Sequence, residues 1–352
     1  MLEIPSKTTS FAVIGLGYWG PNLLRVLSSD PDADVRYVCD LDEERLERFG
    51  QQYPAVEQTT DYEHVLGDPD VEAVVIATPV GTHFDLASRA IAAGKHTFVE
   101  KPLAPSSREA DELVALAEDA NVFLMCGHTF LYSPPVRQVK DMLRRGELGE
   151  LFFISSSRVN LGLHQRDVSV IWDLGPHDFS ILSYWLGETP RTIRAVGRDS
   201  IVPGIPDVAF VTLDFPSGVV ANVELSWLAP SKLRRTVVVG REKMVVYEDG
   251  GPEPIKLFDH GVVFRDPETF GEYHLSYRTG DVLAPKLENY EPLSRELAEF
   301  RALLRADRPA REHAHLAREV VRVTEAADQS LRLGGVEIEL EARSPAGRFS
   351  RA

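Results

Sequence analysis

A chain of 352 residues, 43% hydrophobic and 26% charged, is too long for one ordinary core and is expected to form two soluble, globular domains. Its formal net charge of −16 excludes broad nucleic-acid binding, which needs a basic surface, and no apolar run approaches the about 20 residues that cross a bilayer. The two cysteines, Cys39 and Cys126, both lie in apolar runs; a disulfide framework is not expected and a reducing cytoplasm fits. No basic-then-apolar stretch resembling a secretory signal is read at the N-terminus.

In chain order, strands are expected at residues 11–14, 35–39, 73–77, 96–99 and 123–126, and helices at 22–28, 43–52, 83–93 and 106–121. Short apolar strands separated by helices imply a doubly wound parallel sheet in an α/β domain. Beyond Gly127 the pattern changes. A helix at 136–145, a strand at 151–158 and a helix at 170–186 precede a strand-rich segment from 192 to 247, clearest at 208–215, 219–227 and 235–239. Pro216-Ser217-Gly218 reads as a hairpin turn between two of these strands. Strands without intervening helices imply a largely antiparallel open sheet in an α+β domain. Helices return at 293–305 and 313–333, and a loose or extended tail follows from 336. The expected division is 1–127 and 128–352.

Four motifs carry chemistry. Gly15-Leu16-Gly17-Tyr18-Trp19-Gly20 lies between a strand and a helix. In this G-x-G-x-x-G pattern the first glycine makes the tight turn, the second admits a pyrophosphate, and the third lets helix and strand pack. The helix N-terminus then presents its positive end to the phosphates. Asp40 follows at the end of the second strand, where an acid binds ribose hydroxyls and repels a 2′-phosphate, so a Rossmann domain for NAD rather than NADP is expected. Asp40 as a cap of the next helix is the plainer alternative. Ala77-Thr78-Pro79, with His83 beyond, ends a strand where a nicotinamide ribose can lie; alone it is a loop with a helix-start histidine. Glu100-Lys101-Pro102 ends another strand, and a lysine there can donate to a substrate hydroxyl; alone it is a surface pair before a turn. Asp173 and His177, within Trp172-Asp173-Leu174-Gly175-Pro176-His177-Asp178, share a face if a helix begins here, with Pro176 tolerated in its first turn. A carboxylate beside an imidazole tunes a general base; the alternative is a helix cap and a core histidine. Arg158, Arg166, Lys232, Arg234 and Arg235 could hold phosphates, and Tyr132 and Trp172 could stack on a sugar or base. The ten histidines are scattered, with no metal-ligand spacing.

Taken together and in this order, the glycine turn, Glu100-Lys101-Pro102 and Asp173 with His177 resemble the Gfo/Idh/MocA oxidoreductases over roughly residues 11–333. The resemblance implies an N-terminal Rossmann domain and a C-terminal domain whose sheet forms a homodimer or homotetramer. It implies a cofactor-facing set of Gly15, Gly17, Tyr18, Trp19, Gly20, Asp40, Ala77, Thr78, Pro79, His83, Glu100 and Lys101, and a substrate-facing set of Lys101, Tyr132, Arg158, Trp172, Asp173 and His177. Lys101, Asp173 and His177 would surround the reacting carbon, His177 taking the hydroxyl proton while Lys101 donates to the same oxygen. Gly127 to Pro134, residues 171–178 and Ser226-Trp227-Leu228-Ala229-Pro230 resemble most the UDP-N-acetylglucosamine 3-dehydrogenase-like branch. An inositol or free-sugar dehydrogenase, a ketosugar reductase and a catalytically silent binding protein remain alternatives. Where members often carry Asn-Arg-Phe, this chain has His128-Thr129-Phe130.

Overall fold

The computed structural model describes residues 8–162, 164–165, 168–264, 275–305 and 311–341. Arg166 and the tail beyond 341, both considered above, lie outside them. In chain order the elements are β1 (Thr9–Ile14), α1 (Gly20–Ser29), β2 (Ala33–Cys39), α2 (Glu43–Gln52), β3 (Glu57–Thr59), α3 (Tyr62–Gly67), β4 (Ala73–Ile76), α4 (His83–Ala92), β5 (His96–Glu100), α5 (Ser107–Asp119), β6 (Leu124–Gly127), α6 (Pro134–Arg144), β7 (Leu151–Leu161), α7 (Val170–Leu186), β8 (Thr192–Arg198), β9 (Val208–Asp214), β10 (Val220–Ser226), β11 (Leu228–Gly240), β12 (Met244–Glu248), β13 (Ile255–Phe264), β14 (Leu275–Leu283), α8 (Pro292–Leu303), α9 (Arg311–Arg332) and β15 (Ile338–Glu339).

They fall into two compact units. Among the described residues, the first takes the chain up to Tyr132 together with Tyr290–Arg322, and the second takes Ser133–Asn289 and the residues from Val323 to 341. A single cut after residue 127 therefore misplaces α8. The reason is an aromatic core: Phe300 of α8 packs on Phe98 and Phe123, each with ring centroids 5.5 Å away, and on Phe11.

The first unit holds a six-stranded sheet in the order β3-β2-β1-β4-β5-β6, parallel throughout. Its central strands are buried on both faces, which is why Phe11-Ala12-Val13 and Val74-Val75-Ile76 read as unbroken apolar runs. Strand order reverses between β1 and β4, and ligands of such sheets bind at that point, beyond the carboxyl ends of the strands.

The second unit holds a nine-stranded sheet in the order β14-β13-β12-β11-β7-β10-β9-β8-β15. Among the described residues of this sheet, only β7 and β10 pair in parallel. The β9–β10 hairpin turns through Gly218, at φ +90°, a left-handed backbone that glycine adopts without strain. One face is packed: Ala209, Val211 and Leu213 of β9 and Ala221, Val223 and Leu225 of β10 are buried. Of the alternate residues, Phe210, Val220 and Asn222 are exposed. Strands β13 and β14 escape the sequence reading because Asp259, His260 and Gly261, then Arg278, Gly280 and Asp281, break the apolar alternation. The tail is not wholly loose, since Ile338 and Glu339 pair with β8.

Candidate active site

The first unit builds the cofactor side. Gly15 sits at φ +91°, and a Cβ on it would lie 2.7 Å from the Ala77 carbonyl oxygen. A Cβ on Gly20 would lie 1.9 Å from the Gly15 oxygen, so both glycines serve packing. Gly17 differs: a Cβ there meets nothing nearer than Arg45 Nη1 at 3.9 Å. Helix α1 begins at Gly20 with no side-chain cap and no acid in its first turn, leaving its positive end unneutralised. An open backbone beside an uncapped helix start fits a dinucleotide pyrophosphate. Asp40 Oδ2 accepts the Leu16 N–H at 2.6 Å, tying β2 to this turn. Arg45 approaches Asp40 at 3.7 Å and Asp42 at 3.0 Å. Tyr18 and Leu41 stand almost fully exposed in these two segments, apolar faces suited to a planar base. Sequence reading missed Leu41 and Arg45; the signal was only their nearness to Asp40.

His83 is no exposed ligand. It is buried, with Nδ1 2.8 Å from the Pro102 carbonyl and Nε2 2.9 Å from the Thr78 carbonyl. Burial lowers its pKa, and a neutral imidazole donates to only one of these oxygens. The ring thus braces the Thr78 turn against the Lys101-Pro102 turn, and Thr78 Oγ1 adds a 2.7 Å contact to Thr82. Lys101 is half-buried, and its backbone N–H points at Glu100 Oε2 at 3.3 Å. Glu100 itself is buried, and burial pushes its pKa up to about 7. The Trp19 indole N–H approaches this carboxyl without a well-aligned hydrogen bond. Tyr132 is also buried, its hydroxyl 3.2 Å from Glu299 Oε1; it belongs to the core and offers no stacking surface.

The second unit builds the other candidate residues on α7. That helix starts at Val170, so Pro176 lies in its second turn, not its first. Asp173 and His177 are one turn apart, as the spacing required, and both are half-buried, as is Trp172. Asp173 Oδ2 accepts the Trp227 indole N–H at 2.9 Å. The His164 ring lies 5.2 Å from that indole, and His164 Nε2 is 3.9 Å from the fully buried Asp207. Trp227 lies 54 residues from Asp173 in sequence, and no local pattern ties it or His164 to that carboxylate. Arg158 is not an open phosphate fork: its Nε bonds Asp178 Oδ2, and both residues are buried. Arg234 pairs with Asp249 at 2.8 Å. The site residues are thus divided, Lys101 belonging to the first unit and Asp173 and His177 to the second.

No helix among the described residues is long and apolar enough to cross a membrane. Residues 9–128 match the model of an oxidoreductase family with an NAD-binding Rossmann fold, and residues 136–246 match the GFO/IDH/MocA C-terminal domain. The scyllo-inositol 2-dehydrogenase (NAD(+)) of Bacillus subtilis is 28% identical, over 62% of this chain and 67% of its own. The structure of GenD2 from gentamicin A biosynthesis in complex with NAD is 25% identical, with a TM-score of 0.80, covering 96% of this chain and 97% of that one. The UDP-N-acetylglucosamine 3-dehydrogenase GnnA from Acidithiobacillus ferrooxidans, 22% identical, shares the fold, with a TM-score of 0.76 over 93% of this chain and 98% of its own. Several curated relatives are matched over less than two thirds of their own length, down to 59%. The two matched domains, in the order and at the places where both sheets occur, show that the chain belongs to the GFO/IDH/MocA family and is an NAD-binding oxidoreductase.

Proposed function

We propose that the protein interconverts a secondary hydroxyl and a ketone on a sugar-like substrate, with NAD as the hydride carrier. The observation that carries the reading is the pairing of an open Gly17 cradle in one matched domain with Asp173 and His177 one helical turn apart near the other. His177 takes the hydroxyl proton, Asp173, fixed by Trp227, orients the imidazole or binds a neighbouring hydroxyl, and Lys101 donates to the reacting oxygen. The cofactor, when bound, supplies or accepts the hydride. Gly17 and the start of α1 would hold its pyrophosphate, on a turn shaped by Gly15 and Gly20, and Asp40 would meet the ribose hydroxyls. Asp40 favours NAD over NADP, while the neighbouring Arg45 is the feature a 2′-phosphate would use.

For the substrate we favour a nucleotide sugar, on the fold shared with GnnA and the sequence of residues 171–178. A free polyol is the second reading, favoured by the inositol dehydrogenase relative and by the burial of Arg158 against Asp178, which removes one phosphate fork. The test is NAD reduction by the purified protein with UDP-N-acetylglucosamine, its uronic acid, myo-inositol and glucose, with a trap for the ketone. Turnover confined to the UDP-sugars supports the first reading; turnover confined to free polyols discards it.

We further propose a homo-oligomer built on the open face of the second sheet, in the cytoplasm, where Cys39 and Cys126 remain free. Phe153, Val196, Phe210 and Val220 are each more than a third exposed on that one face, an apolar surface that a second copy would cover. Phe210→Glu then lowers the mass read by sedimentation; an unchanged mass discards this interface.

A further inference from the structure

The proposed reaction leaves one buried histidine of the first unit without a part. His83 opens α4 and is 1% exposed. Its ring stands between two carbonyls that belong to different turns. Nδ1 is 2.8 Å from the Pro102 oxygen, one residue beyond Lys101, and Nε2 is 2.9 Å from the Thr78 oxygen. Burial, with the Lys101 charge acting in the same sense, lowers the pKa of the ring, so it is neutral and carries one N–H for two acceptors. The two turns compete for that proton, and their surroundings decide between them.

The Thr78 turn holds itself. The Thr82 N–H donates to the Pro79 carbonyl at 2.9 Å, and the Thr82 hydroxyl donates to the same oxygen at 2.8 Å. With its proton so used, that hydroxyl accepts from Thr78 Oγ1 at 2.7 Å. The Ala77 N–H is fixed to the Ile14 carbonyl at 2.8 Å, and Thr78 Cγ2 stands 2.8 Å from where a Gly15 Cβ would be. The Thr78 carbonyl meets His83 in a partly open place, where water can serve it. The Lys101 turn has less support. Pro102 has no N–H with which to carry β5 further. Pro102, Leu103 and Ala104 are buried, and so is the contact of the Pro102 carbonyl with His83. A buried carbonyl that loses its donor gains no water in exchange.

We infer that His83 is a positioning residue for Lys101: its proton sits on Nδ1 and goes to the Pro102 carbonyl, fixing the turn that carries the lysine. Nε2 then keeps a lone pair toward Thr78. Two acceptors 2.9 Å apart repel, and of the two carbonyls that of Thr78 is the one able to turn toward water. The inference rests on the assignment of Lys101 to the reacting oxygen. His83 takes no proton in the reaction; it sets where the backbone of the lysine stands. A displacement of about 1 Å at a donor costs up to about 10²-fold in rate, so the hydrogen bond acts on kcat. NAD affinity rests on the glycine and Thr78 turns, which hold without it.

The test uses amide side chains. The Asn amide nitrogen stands where Nδ1 does and the Gln amide nitrogen where Nε2 does, so His83→Asn keeps a donor for Pro102 and His83→Gln keeps one for Thr78. His83→Ala should lower kcat by about 10–100-fold while calorimetric NAD affinity stays at the wild-type level. His83→Asn should restore most of that loss, and His83→Gln should not. Equal kcat in the Asn and Gln variants, rescue by Gln alone, or a fall in NAD affinity that accounts for the loss would overturn the inference. NMR of the imidazole nitrogens in wild type reads the proton without turnover and without any variant: Nδ1 of His83 should carry it. A proton on Nε2, or on both nitrogens, overturns the inference whatever the substrate. A wild type that carries the proton on Nδ1 but oxidises no sugar overturns only the proposed function.

Discussion

Two buried carboxylates, Asp178 in the second unit and Glu296 in the first, are paired differently. In the second unit, Asp178 is held by Arg158 on one oxygen and by the Ser156 hydroxyl at 2.7 Å on the other, and Ser156 is in turn 2.8 Å from Thr236. Ser156 and Thr236 face each other across β7 and β11, so the group ties α7 to the sheet. In the first unit, Glu100, His128 and Glu296 are as deeply buried yet leave four polar atoms unpaired. A satisfied buried group holds a fold together. An unsatisfied one lowers stability. His83 stands between the two kinds, since its ring touches two carbonyls and, when neutral, donates to only one of them.

Mutations can break this contrast. Asp178→Ala strands the Arg158 charge in the core and should cost about 3–5 kcal/mol in urea unfolding. Glu100→Gln should act in the other direction and depend on pH. The Glu100 carboxyl titrates at about 7 in the fold against 4.5 unfolded. Between those values the folded chain holds more protons, so stability falls as pH rises and the loss is complete above about 7. The variant escapes that loss and should exceed wild type at pH 8 by an amount on the order of 1–3 kcal/mol, with no gain at pH 4. His128 has the reverse slope. Its pKa of about 3 against 6.5 unfolded makes stability fall as pH drops through that window, so His128→Gln should soften acid unfolding. The glycine turn repeats the contrast at smaller scale. Gly15→Ala places a Cβ against the Ala77 oxygen at φ +91° and should cost about 1–3 kcal/mol. Gly17→Ala has room and should leave the melting curve within about 0.5 kcal/mol while weakening NAD binding measured by calorimetry.

What the sequence disclosed follows the reach of each signal. The parallel strands were legible because burial on both faces leaves unbroken apolar runs such as Val74-Val75-Ile76. Gly15, Gly17 and Gly20 were legible because one turn fixes their spacing, and Asp173 with His177 because α7 sets them on one face. Arg158 misled, since a strand arginine shows nothing of the Asp178 carboxylate 20 residues later that takes its guanidinium. Tyr132 misled likewise, its partner Glu299 lying 167 residues away. Glu296 carried a faint local sign: it sits among Leu293, Leu297 and Phe300 on the buried face of α8, where an acid breaks the amphipathic pattern.

The central claim is that His177 is the base of a hydride transfer for which the first unit holds NAD. The most direct measurement is NAD reduction by His177→Asn beside wild type, with calorimetric NAD affinity recorded for both. The account predicts equal affinity and a turnover lower by about 10²–10⁴-fold in the variant. Equal affinity with unchanged turnover would contradict it.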